Sequence, residues 1–318
     1  MSRISERIER ELGLPGLAAT LADQLKPSYL QSLWLEVSRL QAARLEPADV
    51  LAAYESNRFV RPAALDSKRL RDWTDAILAH LPADFTVLEL SPVCPLGTNS
   101  AVARVAQNWA VATERQKEVV SDATNVLALE AASRRKQARA ASTARGEAVH
   151  LATSHRLLRA QKYVAAHFSP HFRLLGLCSA GRGGDFELTA LALQVEFLVT
   201  ALRQHLPAGT GLRLALSDFG ESARPAEAVA DWLRARSDRF PGLICETAPD
   251  RTTGRGYYSG CCFHLWLKLP DGSERQIADG GAVAWASRLL SDSKERMVIS
   301  GLGLEDLAAN FIPTMQST

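Results

Sequence analysis

From Ser2 to about Leu81 the apolar positions recur at helical intervals: Leu30, Leu33, Trp34 and Val37 fall at three- and four-residue steps, with Leu40 and Leu45 further on. Pro27, Pro47 and Pro62 punctuate this stretch and predict several short helices rather than one rod. After Pro82 the pattern changes. Phe85–Leu90 (FTVLEL) has β-type composition and runs into Ser91-Pro92, where a proline ends regular pairing. Further strands are predicted at Trp109–Thr113, His155–Arg159, Phe172–Leu177, Leu212–Leu216, Tyr258–Leu269 and Arg296–Ile299, with a polar turn at Glu114–Lys117. Helices are predicted from Asp122 or Thr124 through Leu129, over Phe186–His205 and over Ala226–Arg236. Hairpin-like strands interrupted by helices, without regular βαβ alternation, predict an α+β fold around an antiparallel sheet flanked by helices. Residues 1–82 read as a helical N-terminal extension, a cap on the main domain, and 83–318 as the core.

Composition changes this picture little. The 318 residues are 47% hydrophobic and 23% charged, with a net charge of +2 that compels neither a nucleic-acid nor a membrane partner. No apolar run reaches membrane-spanning length, and the charged start MSRISERIERELG has no apolar signal-like segment, so a cytoplasmic protein is expected. Five cysteines without a CxxC pair read as reduced thiols, Cys261 and Cys262 lying in a strand-like run. His155, His167 and His171 lack a matching Cys or carboxylate spacing, so no metal site is expected. The basic stretch Arg134–Arg145 reads as a solvated helix end rather than an RNA contact, because no aromatic residues interleave the charges.

Several segments carry a more specific signal through their order. SDATNVLALEAASRR begins at Ser121; LLRAQ (Leu157–Gln161) is followed by the return segment HFRLLGL (His171–Leu177). GGDFELTALALQVEFLVTAL begins at Gly183, and GRGYYSGCC spans Gly254–Cys262. Gly280-Gly281 precedes SGLGLEDL (Ser300–Leu307). With Ser91-Pro92, this series resembles the catalytic core of class II aminoacyl-tRNA synthetases, and histidyl-tRNA synthetase in particular, from about Phe85 to Leu307. The resemblance implies that Asp122 stands where an acidic residue binds the amino group of the amino acid, with Thr124 at the neighbouring threonine. It places Arg159 at the arginine that holds the α-phosphate of ATP, and Gln161 at that arginine's glutamate partner. Tyr257 and Tyr258 match tyrosines lining the imidazole pocket, and Gly280, Gly281, Gly301 and Gly303 match the glycine-rich floor. Each has a plainer reading: Asp122 as an N-cap, Asp185 and Glu187 as the capping and orienting carboxylates of their helix, the tyrosines as a half-buried pair, the glycines as close strand packing.

The departures concentrate on the nucleotide side. Three arginines of the family fall on Thr253, Ala282 and Asp306, and two substrate-side polar residues on Leu174 and Cys178. Adenylation relies on cations fixed around the phosphates. A unit charge at ~4 Å in an effective dielectric near 20 contributes about 4 kcal/mol, so a reversal at Asp306 would cost roughly twice that. The resemblance therefore implies a paralogue that binds an amino acid or small amphiphile, or regulates a protein partner, without catalytic residues or cofactors. The regulatory subunit of ATP phosphoribosyltransferase sets a precedent. The alternative is an ATP- and Mg-dependent ligase or transferase with altered chemistry. A homodimer is expected and nucleic-acid binding is not. The anticodon-binding domain has no counterpart, and a short insertion occupies about 220–250.

Overall fold

The computed structural model describes residues 3–141, 147–161, 169–207, 209–220, 224–269 and 271–310. His167, most of the stretch beyond Ala141 in the basic segment, and the last eight residues lie outside them. The N-terminal stretch forms α1 (Arg3–Leu12), α2 (Leu17–Asp23), α3 (Pro27–Ala42), α4 (Pro47–Ser56) and α5 (Ser67–Leu78). Pro27 and Pro47 open α3 and α4 in the first turn, where a missing N–H is harmless. α1 to α4 bury no residue, and Leu33, Trp34, Leu40 and Leu51 stay exposed. α5 behaves differently: Asp66 caps it by accepting from the Lys68 N–H at 2.8 Å, and Leu70, Trp73 and Ile77 pack into the core. Among these five helices, burial against the sheet core is thus concentrated in α5.

The core is an eight-stranded sheet. Its strands are β1 (Phe85–Val87), β4 (Val149–Leu158), β5 (His171–Arg182), β6 (Gly211–Asp218), β7 (Leu243–Thr247), β8 (Cys261–Lys268), β9 (Glu274–Ala282) and β10 (Glu295–Gly303), while β2 (Val93–Pro95) and β3 (Lys117–Val119) form a separate two-stranded antiparallel sheet. Across the sheet the order is β1-β4-β5-β10-β9-β8-β6-β7. The pairs from β4 to β6 are antiparallel, but β1 lies parallel to β4 and β7 parallel to β6. The sheet is therefore mixed at both edges. Helices cover both faces, as side-chain alternation along β5 shows. Leu175 and Leu177 join the cluster around α7 (Phe186–His205), and Cys178 and Ala180 join the one around α6 (Ala123–Ala140). Among the described residues no helix is long and apolar enough to cross a membrane.

Three local expectations change. Trp109–Thr113 is not a strand: Gln107–Trp109 is a 3-10 turn, and only Ala112 bridges to Glu118. β7 and β9 are strands that the pattern did not announce; β9 carries charge at one end and a glycine pair at the other, which dilutes its β signal. Within the basic segment, Arg135 is not solvated. It is fully buried, its Nε and Nη2 donating to Glu295 at 3.0 and 3.1 Å, while Arg139 pairs with Asp292 at 3.2 Å.

Candidate functional site

Asp122 is the N-cap of α6. Its Oδ1 accepts from the Thr124 N–H at 3.0 Å and the Thr124 hydroxyl at 2.8 Å, the local bond that starts the helix. Its Oδ2 meets Arg159 Nη2 at 3.2 Å, and Arg159 Nε donates to the Ser121 carbonyl at 2.9 Å. The guanidinium also lies 5.1 Å from the Phe172 ring centroid. Arg159 sits just past the end of β4 and is held there because its N–H donates to the Pro170 carbonyl at 2.8 Å. Carboxylate and arginine therefore satisfy one another.

Opposite them stands the loop before β8. Tyr257 and Tyr258 meet edge to face at 4.9 Å, and Tyr257 packs likewise on Trp285 at 5.3 Å. The Tyr258 hydroxyl donates to Asp279 Oδ2 at 2.8 Å. Burial lifts the pKa of both tyrosines well above the ordinary phenol value, with nearby carboxylates adding. Burial also raises Asp279, opposed by the Tyr258 hydrogen bond. Asp122, Thr124, Arg159, Phe172, Tyr257, Tyr258 and Asp279 line one cleft of about 680 Å³.

Of the residues singled out from sequence, Asp122, Thr124, Arg159, Tyr257, Tyr258 and Gly301 line this cleft. Gln161, Gly280, Gly281 and Gly303 do not. Gly280 and Gly281 instead serve strand packing, since a Cβ would come within 2.5 Å of Ser300 Cβ at the first and of Cys262 Cβ at the second. Asp185 stands at the N-cap of α7 but makes no side-chain cap bond, and Glu187 reaches Arg296 at 3.6 Å. The charge reversal at Asp306 also needs correcting. Asp306 does not line the cleft and is ion-paired with Arg275 at 2.7 Å, so its charge is not presented to a ligand there. Ala282 and Cys178 are buried in the core.

Sequence reasoning missed Asn125, Arg251, His264, Gln276 and Asp279, all of which line the cleft. Asp279 immediately precedes the glycine pair, and Arg251 lies two residues before Thr253, so proximity to the quoted segments was the available signal. Arg251 packs over Tyr258 at 5.6 Å and its Nε donates to the Thr253 carbonyl at 2.9 Å. Its Nη1 is buried without a hydrogen-bond partner among the described residues, as is Oδ1 of Asn125.

His264 has its pKa lowered to about 4, by burial first and then by Arg251 and Arg213. Folded, it stays neutral while the unfolded chain takes up a proton below the ordinary value of 6.5. The unfolded state thus binds more protons as pH falls, and stability drops between pH 6.5 and about 4. His264→Gln is expected to flatten that part of the acid limb in urea titrations at successive pH values. An identical limb in both proteins would show that the ring titrates as if in water.

No family model matches the chain, and no curated protein does. Solved structures match its fold. The apo S. aureus histidyl-tRNA synthetase superposes with a TM-score of 0.54 at 14% identity, covering 76% of this chain and 64% of that one. An ATP phosphoribosyltransferase regulatory subunit/histidyl-tRNA synthetase from Bacillus halodurans C gives 0.58 at 12% identity, over 78% of this chain and 82% of that one. The RNA binding domain of threonyl-tRNA synthetase from Cryptosporidium parvum Iowa II gives 0.56 at 12%, over 76% and 62%. The chain thus spans under two thirds of the length of either synthetase structure. With the mixed sheet, its flanking helices and the cleft between α6 and the tyrosine loop, these matches give the chain a class II synthetase-like α+β fold.

Proposed function

We propose that this chain is a synthetase-like paralogue whose cleft binds an amino acid or a similar small amphiphile without activating it, and which acts on a protein partner. One observation carries this reading: Arg159, the cation that the resemblance assigns to the α-phosphate, is bonded to Asp122 and Ser121. A triphosphate would have to break a charge-assisted pair to recruit it. Two tyrosines, the Asp279 carboxylate and the unpartnered Nη1 of Arg251 remain on the other side of the cleft. The exposed apolar side chains of α1 to α4 support contact with a protein, a second copy of this chain included. ATP and Mg enter only in the alternative, a ligase with altered chemistry, for which Arg251 is the supporting feature.

The two readings separate in an ATP–pyrophosphate exchange assay with Mg and a panel of amino acids, run beside thermal-shift measurements. No ATP-dependent exchange is expected. An amino acid at about a hundred times its Kd should add roughly 2.7 kcal/mol, a rise of about 4 °C for a chain of this length, whether or not ATP is present. Robust exchange with any acid would replace this reading by the ligase.

A further inference from the structure

Among the described residues four charged side chains line the cleft: Asp122, Arg159, Arg251 and Asp279. The first two neutralise one another at 3.2 Å. Asp279 takes one hydrogen bond, from Tyr258, and Arg251 leaves a buried Nη1 without a partner among the described residues. The charges left unpaired with one another among the described residues are thus one carboxylate and one guanidinium, the complement of a single zwitterion. Asn125 adds a buried acceptor, Oδ1, that also lacks a partner. Buried polar groups left unpaired are costly, so such atoms at a cleft wall point to a polar occupant.

Strand register sets the rest of the ligand. Asp279 on β9 pairs with Gly301 on β10 and with His264 on β8, so the three form one row across the sheet. A Cβ at Gly301 would already meet Leu174 at 3.4 Å, so Leu174 packs over this glycine beside the Asp279 row. Paired residues on adjacent antiparallel strands are about 5 Å apart, which is the reach from an amino acid's head group to its side chain. The apolar part of the cleft lining is built from Val105, Trp109, Phe172, Leu174 and Ile299. Cys178, standing where the resemblance has a second polar substrate contact, is buried in the core and offers nothing to an imidazole.

We infer that the cleft takes a free α-amino acid with a large uncharged apolar side chain, its ammonium bound by Asp279 and its carboxylate by Arg251. This rests on the amino-acid reading above and moves the head-group site away from Asp122 and Arg159.

Calorimetric titration of the full chain tests it with L-phenylalanine and L-leucine against L-lysine and L-histidine. The same titration uses 3-phenylpropionate, which lacks the ammonium, and phenethylamine, which lacks the carboxylate. The apolar amino acids should bind at least about tenfold more tightly than lysine or histidine. Each one-headed analogue should lose about 10–100-fold, the fold-change of one charged hydrogen bond. Asp279→Asn should weaken phenylalanine and leave phenylpropionate unchanged, and Arg251→Gln should weaken phenylalanine and leave phenethylamine unchanged. Should either variant fail to fold, the analogues on the unaltered chain still decide. Lysine or histidine binding as well as leucine overturns the side-chain assignment and leaves amino-acid binding standing. Analogues equal to phenylalanine overturn the head-group assignment. No heat from any amino acid up to about 10 mM, the weak end of the affinity scale, overturns both.

Discussion

Arg135→Met is expected to destabilise the protein by about 3–5 kcal/mol and to lower the thermal midpoint by about 4–8 °C. Arg135 and Glu295 are both fully buried, joined by two hydrogen bonds, and the arginine also donates to the Glu147 carbonyl. Removing the guanidinium strands a carboxylate where water does not reach it, and that penalty, more than the lost attraction, sets the size of the effect. Arg182, 3.1 Å from Glu295, offsets part of it; but it also binds Asp292 at 2.8 Å and is partly solvated, which places the loss toward the lower end of the range. Lysine should not rescue, since it cannot present two donors in the planar arrangement that Glu295 accepts. Glu295→Met alone should behave like Arg135→Met, whereas the double replacement should recover much of the loss, because two apolar side chains leave no buried charge. Urea denaturation of the four proteins measures the coupling. Single variants within about 1 kcal/mol of the parent, the range of an exposed pair, would mean that the pair is hydrated.

That pair also marks how far the sequence could be read. Ala128, Ala131, Ala132 and Arg135 follow the three- and four-residue steps of a buried stripe, yet the run of charges around Arg135 makes it read as part of a solvated helix end. Its partner was not legible either, because Glu295 is 160 residues away and nothing local couples them. The same limit holds at the cleft. Asp122 and Thr124 were found because capping is a local bond between neighbours, and Tyr257 and Tyr258 because they sit in a recognisable segment. Asp279 and Arg251 escaped. One lies in a strand whose composition hides it, the other in a loop, and only cross-strand register brings Asp279 beside Gly301 and His264. The helical-and-strand alternation likewise announced α6, α7 and most of the antiparallel strands, but parallel pairing at the sheet edges depends on connections that periodicity does not encode.

Gly281→Ala and Gly280→Ala are expected to destabilise the sheet by about 1–3 kcal/mol or more, the range for overpacking a filled interior, while Gly303→Ala should change stability by less than about 1 kcal/mol. A Cβ at Gly281 would lie 2.5 Å from Cys262 Cβ, 2.7 Å from Cys262 Cα and 2.8 Å from the Cys261 carbonyl. At Gly280 the neighbours are Ser300 Cβ at 2.5 Å, the Ile299 carbonyl at 2.6 Å and Phe263 at 2.7 Å. Backbone atoms feature at both positions, so relief requires β9 to move away from β8 or β10 and lose ladder hydrogen bonds with it. At Gly303 the nearest atom is the Ile277 carbonyl at 3.9 Å, an ordinary contact, and alanine there also restricts the unfolded chain. Chemical denaturation of the three variants tests this ranking, and calorimetry on whatever remains folded separates structure from binding. The strand-packing role predicts that Gly281→Ala loses stability first and ligand affinity only as a consequence of a displaced Asp279. A Gly281→Ala protein as stable as the parent, yet unable to bind, would instead mean that this glycine makes room for the bound molecule.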